Sequence, residues 1–139
     1  MVAENCIIEG GIGFLPNKSL DDIRNEVRQE IETHASAWTK EHYTLEFNRL
    51  HNAAYRTPPE HPLMQTFHEA VVSNGGPSAI AGWTASCDAR LFYHRGKMPT
   101  LCFGAGQFSY AHSNNEQVTI GELNAAAKIL ADFLVKWCG

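Results

Sequence analysis

Residues 98–123 read "MPTLCFGAGQFSYAHSNNEQVTIGEL". The stretch begins with a run of apolar and small residues, "MPTLCFG" (98–104), which has the character of a buried strand. Gly104 and Gly106 follow, bracketing one alanine; glycine lets a backbone take positive φ or lie close to a ligand. A lone imidazole, His112, then stands among small and polar residues. Thr119 with Glu122 three residues later forms a capping box, and a helix opens there. It runs on through Leu123, Ala126, Leu130, Phe133 and Trp137. A strand leading through a glycine loop into a helix is a unit of an α/β sheet. Open sheets of this kind bind ligands at the carboxyl ends of their strands, which is where residues 104–112 fall.

Upstream the same alternation continues. "SCDARLFYHRG" (86–96) reads as a loop and a short helix stopped at Gly96, and "SAIAGW" (78–83) as a short strand. Residues 61–74 place Leu63, Phe67 and Val71 on one helical face, and Asn74-Gly75-Gly76-Pro77 ends that helix. Helix and strand in alternation predict a parallel α/β sheet. "RTPPEHP" (56–62) is the sharpest break in the chain, because its prolines can continue neither a helix nor a strand interior. A boundary there divides the chain into 1–57 and 58–139. Before it, "NCIIEGGIGFLPN" (5–17) reads as a strand interrupted by glycines. A helix opens at Ser19, with Asp22 completing a capping box and Leu20, Ile23, Val27 and Ile31 forming an apolar stripe. "YTLEFNRL" (43–50) alternates as a half-buried strand does, with Tyr43, Leu45 and Phe47 on one side. The first part is thus expected to be strand, helix, strand, with polar loops between.

Composition narrows the function classes. The 139 residues carry a net charge of −4, with lysine and arginine scattered along the chain, so nucleic acid is not an expected partner. No apolar run reaches the roughly 20 residues of a membrane span, and the N-terminus has no leader pattern. Cys6, Cys87, Cys102 and Cys138 contain no Cys-x-x-Cys pair. They are expected as buried thiols of a cytoplasmic protein, since a zinc-thiolate site wants tighter spacing.

Three groups carry possible chemistry. His112, on a loop at a sheet edge, suits a metal ligand or a general base, or equally a hydrogen-bonded structural histidine. Arg90 can clamp a carboxylate through its guanidinium fork, or instead join Asp88 in shaping its own loop. His51, His61 and His68 have no ligand spacing and read as structural, and His94 and Arg95 as part of a solvated face.

Taken together, "SCDARLFYHRGKMPTLCFGAGQFSYAHSNNEQVTIGELNAAAKILADFLVKWCG" resembles the C-terminal part of the acetylornithine deacetylase / succinyl-diaminopimelate desuccinylase family of zinc-dependent peptidases and deacylases. Upstream, "EGGIGFLPNKSLDDIRNEV" and "LEFNRLHNAAYRTPPEHPL" resemble the second half of that family's lid, or dimerisation, domain. The resemblance implies a mixed α-β fold. Residues 1–57 would be part of a ferredoxin-like lid, and 58–139 the C-terminal part of the zinc-peptidase α/β domain. It implies that His112 is a zinc ligand, that Arg90 binds the substrate carboxylate, and that Gly104 and Gly106 line the substrate pocket. The complete family enzyme holds two zinc ions, or cobalt, forms homo-oligomers, and acts on small N-acyl amino acids or peptides.

The remaining family motifs are missing. None of the seven histidines is followed by aspartate two residues on, and no Glu-Glu pair occurs. A zinc centre depends on three or four ligands acting together. The chain is therefore expected to be a C-terminal fragment of a zinc-dependent amidohydrolase, holding no catalytic residue and inactive alone. The alternative is a non-catalytic module that self-associates or binds a partner.

Overall fold

A computed structural model describes residues 4–49 and 51–139. They form two compact units: Met1–Tyr55 with Thr84–Ser86, and Arg56–Trp83 with Cys87–Gly139.

The first unit is built on α1 (Leu20–His34). Its start is set by a reciprocal capping box, in which the Ser19 Oγ accepts from the Asp22 amide at 3.1 Å and the Asp22 carboxylate accepts from the Ser19 amide at 2.8 Å. The stripe Leu20, Ile23, Val27 and Ile31 is half-buried, and no residue of α1 is buried outright. Arg24 and Arg28 lie over the Phe47 ring, 5.9 and 5.6 Å from its centroid. The segment expected as a polar loop carries a short helix, α2 (Ala37–His42), started by Ser36, whose side chain accepts from the Thr39 amide. Trp38 stacks on His42 one turn later, with centroids 4.5 Å apart.

The second unit pairs two helices, α3 (Pro62–Ser73) and α5 (Ile120–Cys138). Phe67 and Ala70 of α3 meet Ile129 of α5, and these three are the buried apolar residues among those described. Val71, Leu101 and Phe133 pack around them. Phe67 meets Phe103 and Phe133 edge-on at 4.9 and 5.0 Å, the geometry ring quadrupoles favour. At the rim, Asp132 accepts from Asn74 and Lys136, both at 3.0 Å. His61 caps α3 by accepting from the Leu63 amide at 3.1 Å. At its other end Gly75 takes φ +76°, where a side chain would be strained. Between them in the chain comes α4 (Ala89–His94), the short helix expected before Gly96.

The expected strands are not formed. Residues 5–15, 43–48, 78–83 and 98–104 have no regular structure, Pro16-Asn17 form a turn and Arg49 a bend, and no β-ladder joins any of these stretches among the described residues. Leu50, the last residue of the second expected strand, lies outside the described residues. The strand-helix-strand lid and the sheet of the second part are therefore not seen among the described residues. The reason is that a strand, unlike a helix, has no hydrogen bonds of its own and exists only through a neighbour. Side-chain alternation survives without the ladder: Tyr43, Leu45 and Phe47 are half-buried, while Thr44 and Glu46 are exposed.

Candidate functional site

Arg90 sits in the first turn of α4 with its side chain 19% exposed. Its Nη1 donates to the Cys87 carbonyl at 2.6 Å and more weakly to Asp88 at 3.3 Å. Of the two alternatives offered by the sequence, these bonds show the one in which the arginine shapes its own loop. Yet its Nε is buried and has no acceptor among the described residues. A buried N–H left unpaired costs about 1–3 kcal/mol.

The segment ahead of Gly104 is pinned at one point. The Thr57 hydroxyl donates to the Thr100 carbonyl at 2.7 Å and accepts from the Thr100 amide at 3.0 Å. Two residues on, the Cys102 sulfur lies 3.3 Å from that of Cys87. That contact brings the segment leading to Gly104 against the loop leading to Arg90. The expectation of buried thiols is corrected: Cys6, Cys102 and Cys138 are exposed and Cys87 is half-buried. Without paired strands above them, the apolar flanks that suggested burial are not covered.

Gly106 takes φ +89°, a conformation that side chains rarely adopt, while Gly104 is in open surroundings. A single 3₁₀ turn, Phe108–Tyr110, follows, with Phe108 tilted against Trp83 at 4.6 Å. His112 is exposed and has φ +61°. Left-handed backbone is uncommon outside glycine and is held only where surrounding contacts impose it. Here the His112 amide donates to the Glu116 carboxylate at 3.2 Å, and the Ser113 hydroxyl bonds the Tyr110 carbonyl at 2.7 Å.

The structure thus brings the surroundings of Arg90 and Gly104 together through the two sulfurs; no bond links His112 to either. No group of three histidine, cysteine or acidic side chains suited to a metal occurs among the described residues. His112 alone falls short of the three or four donors that hold zinc, so the described residues do not by themselves fit such a centre. A cleft of 370 Å³, with no signal in the sequence, is lined by Thr57, His61, Tyr93, His94, Lys97 and Met98 among others, though by neither Arg90 nor His112. Residues 57, 61 and 93–98 carry no spacing that would have marked them as neighbours. His68 bonds the Ser78 carbonyl at 2.7 Å, in keeping with a structural role.

A family model for peptidase family M20/M25/M40 matches residues 2–136. The chain belongs to peptidase family M20/M25/M40. It is similar to N-formyl-4-amino-5-aminomethyl-2-methylpyrimidine deformylase of Bacillus subtilis, 25% identical over 150 residues, covering 99% of this chain and 35% of that protein. The protein of the same name from Halalkalibacterium halodurans is 26% identical over 157 residues, with the same coverage of 99% and 35%. A LysW-lysine hydrolase of Deinococcus radiodurans is 25% identical over 89 residues, covering 64% of this chain and 25% of that protein. No solved structure matches. The chain spans about a third of the length of each of the two deformylases, 35% in both. These relatives bear out the M20 family. They carry other names than the acetylornithine deacetylase / succinyl-diaminopimelate desuccinylase branch of the resemblance. No described helix is long and apolar enough to cross a membrane.

Proposed function

We propose that this chain carries the substrate-carboxylate site of a metal-dependent amide hydrolase that removes acyl groups from N-acyl amino acids or small peptides. The observation that carries the reading is the Arg90 guanidinium, 19% exposed, whose Nε has no acceptor among the described residues. A guanidinium is always charged and presents its donors as a rigid fork, so a ligand carboxylate is the acceptor it suits best. Gly104 and Gly106 border the pocket in this reading, and His112 supplies one ligand to a two-zinc, or cobalt, centre. The exposed ring and imposed backbone of His112 support that role. The other donors would have to come from outside the described residues, and none of these is assigned a catalytic step. The relatives' names support the reaction class, since formyl is the smallest acyl group. The acetylornithine deacetylase / desuccinylase branch, the division at 57/58 into dimerisation and catalytic parts, and a cytoplasmic location belong to the same proposal.

The test is calorimetric titration of the full chain with N-acetyl amino acids and their carboxamide analogues. The acids are expected to bind, and Arg90→Gln or capping the carboxylate to weaken binding at least about tenfold, the worth of one charge-assisted bond. Equal binding of acid and amide would sink the reading. Added Zn²⁺ or Co²⁺ is expected to give no deacylation; turnover would mean the chain holds a complete donor set.

A second reading, a self-associating module, is favoured by the exposure of Ile7 at 86% and Ile8 at 90% in a segment without regular structure. Unpaired segments with apolar side chains invite another chain. In the same samples, light scattering that finds monomer alone at high concentration would remove it.

A further inference from the structure

We propose that Cys87 and Cys102 form a redox-active thiol pair that closes to a reversible disulfide when a peroxide oxidises it. The two are 15 positions apart in sequence, yet their sulfurs lie 3.3 Å from each other. A disulfide bond is about 2.05 Å long, so closure needs a movement of only about 1.3 Å. Each sulfur is held near the other by a separate anchor. The Cys87 carbonyl is gripped by Arg90 at 2.6 Å. The chain two residues before Cys102 is fixed by the paired bonds of Thr57 and Thr100. The remaining two cysteines, Cys6 and Cys138, are both exposed.

Access favours the reaction as well. Cys102 is exposed and Cys87 half-buried, so a peroxide meets Cys102 first. The Cys102 thiolate attacks one peroxide oxygen, breaking the O–O bond and releasing hydroxide, and becomes a sulfenic acid. The Cys87 thiolate then attacks that sulfur, forming the S–S bond and expelling the second oxygen as hydroxide. The hydroxides take up the two thiol protons. In sum, two thiols lose two electrons and two protons, and one peroxide becomes two waters. The new bond would tie the loop leading to Arg90 covalently to the segment leading to Gly104. An effect on substrate binding rests on the role proposed for Arg90, whereas the bond itself rests on the sulfur geometry alone.

The test is peptide mapping of the full chain after treatment with hydrogen peroxide. Arg90, Arg95 and Lys97 lie between the two cysteines, so trypsin places them on different peptides. Without reductant, the digest is expected to contain these two peptides joined, lighter by two hydrogens than their sum, and separable by dithiothreitol. Cys6 and Cys138 are expected to appear instead as singly oxidised residues. In Cys87→Ser, Cys102 has no resolving thiol, so its conversion to sulfinic acid is expected to rise several-fold. Should that variant fail to fold, the digest of the unaltered chain decides alone. Cys87 and Cys102 oxidised independently to sulfinic acids, or scrambled with Cys6 and Cys138 without preference, would overturn the proposal. The readout is a mass, so its failure is separate from any failure to bind N-acyl amino acids.

Discussion

Helices α1 and α5 begin in the same way and end up in different circumstances. Each opens with a reciprocal capping box, Ser19 with Asp22 and Thr119 with Glu122. Each carries an apolar stripe at spacings of three and four. Yet α1 buries no residue, whereas α5 sets Ile129 against Phe67 and Ala70 of α3. The cap is a contract among four consecutive residues and is met wherever they occur. Burial needs a second surface, and only α5 has one of its own kind to meet.

The largest test of this contrast is truncation of the apolar groups. Phe67→Ala removes a ring that is 8% exposed and is expected to cost about 3–5 kcal/mol in urea denaturation followed by circular dichroism. Val27→Ala, on the half-buried stripe of α1, should cost about 1 kcal/mol. Equal losses would break the comparison by showing α1 to be packed as firmly as α3. Next in size is Thr57→Val, which keeps the shape but removes both bonds to Thr100, one of them to an amide that then has no partner there. A loss of about 1–3 kcal/mol is expected, and the exchange rate of the Thr100 amide should rise with it.

The smallest effects belong to the caps. Ser19→Ala and Thr119→Ala are each expected to cost about 1 kcal/mol, seen as fraying of the first turn in amide exchange. Similar values in α1 and α5 would sharpen the contrast, because they would show caps acting without regard to burial. Acid should act on both caps together. Hydrogen bonds, first from the backbone of Ser19 and of Thr119, hold the carboxyls of Asp22 and Glu122 below their ordinary values of 3.8 and 4.5. A depressed folded value means that the caps stabilise fully above the ordinary value. They are lost as pH falls through the depressed one. Helix content in the unaltered chain is therefore expected to drop on the acid side of pH 4, and to drop less once both caps are removed.

What was legible in the sequence follows the same division. Ser19, Thr119 and the Asn74-Gly75 stop announced their helix ends because every atom involved lies within a few residues. The α2 helix was missed because six residues give too little apolar repetition to read, although Ser36 with Thr39 held its cap. The strands were misjudged for the opposite reason. Alternation at Tyr43, Leu45 and Phe47 reports which side is covered, and it does not say whether a second strand lies alongside. At the candidate site, "DAR" and the glycine loop could be picked out as motifs. The meeting of Cys87 with Cys102 could not, since each has an ordinary setting in its own neighbourhood.

The link between Thr57 and Thr100 has a bearing on the order in which this chain folds. It spans 43 positions, with α3 and α4 lying between them in the chain. Closing so long a loop loses chain entropy that no neighbouring contact returns, so the two threonines should find each other late. The Thr100 amide, which points at a hydroxyl and not at a carbonyl, would then be among the final protons to become shielded during refolding. Its protection would mark the moment at which the second unit is complete.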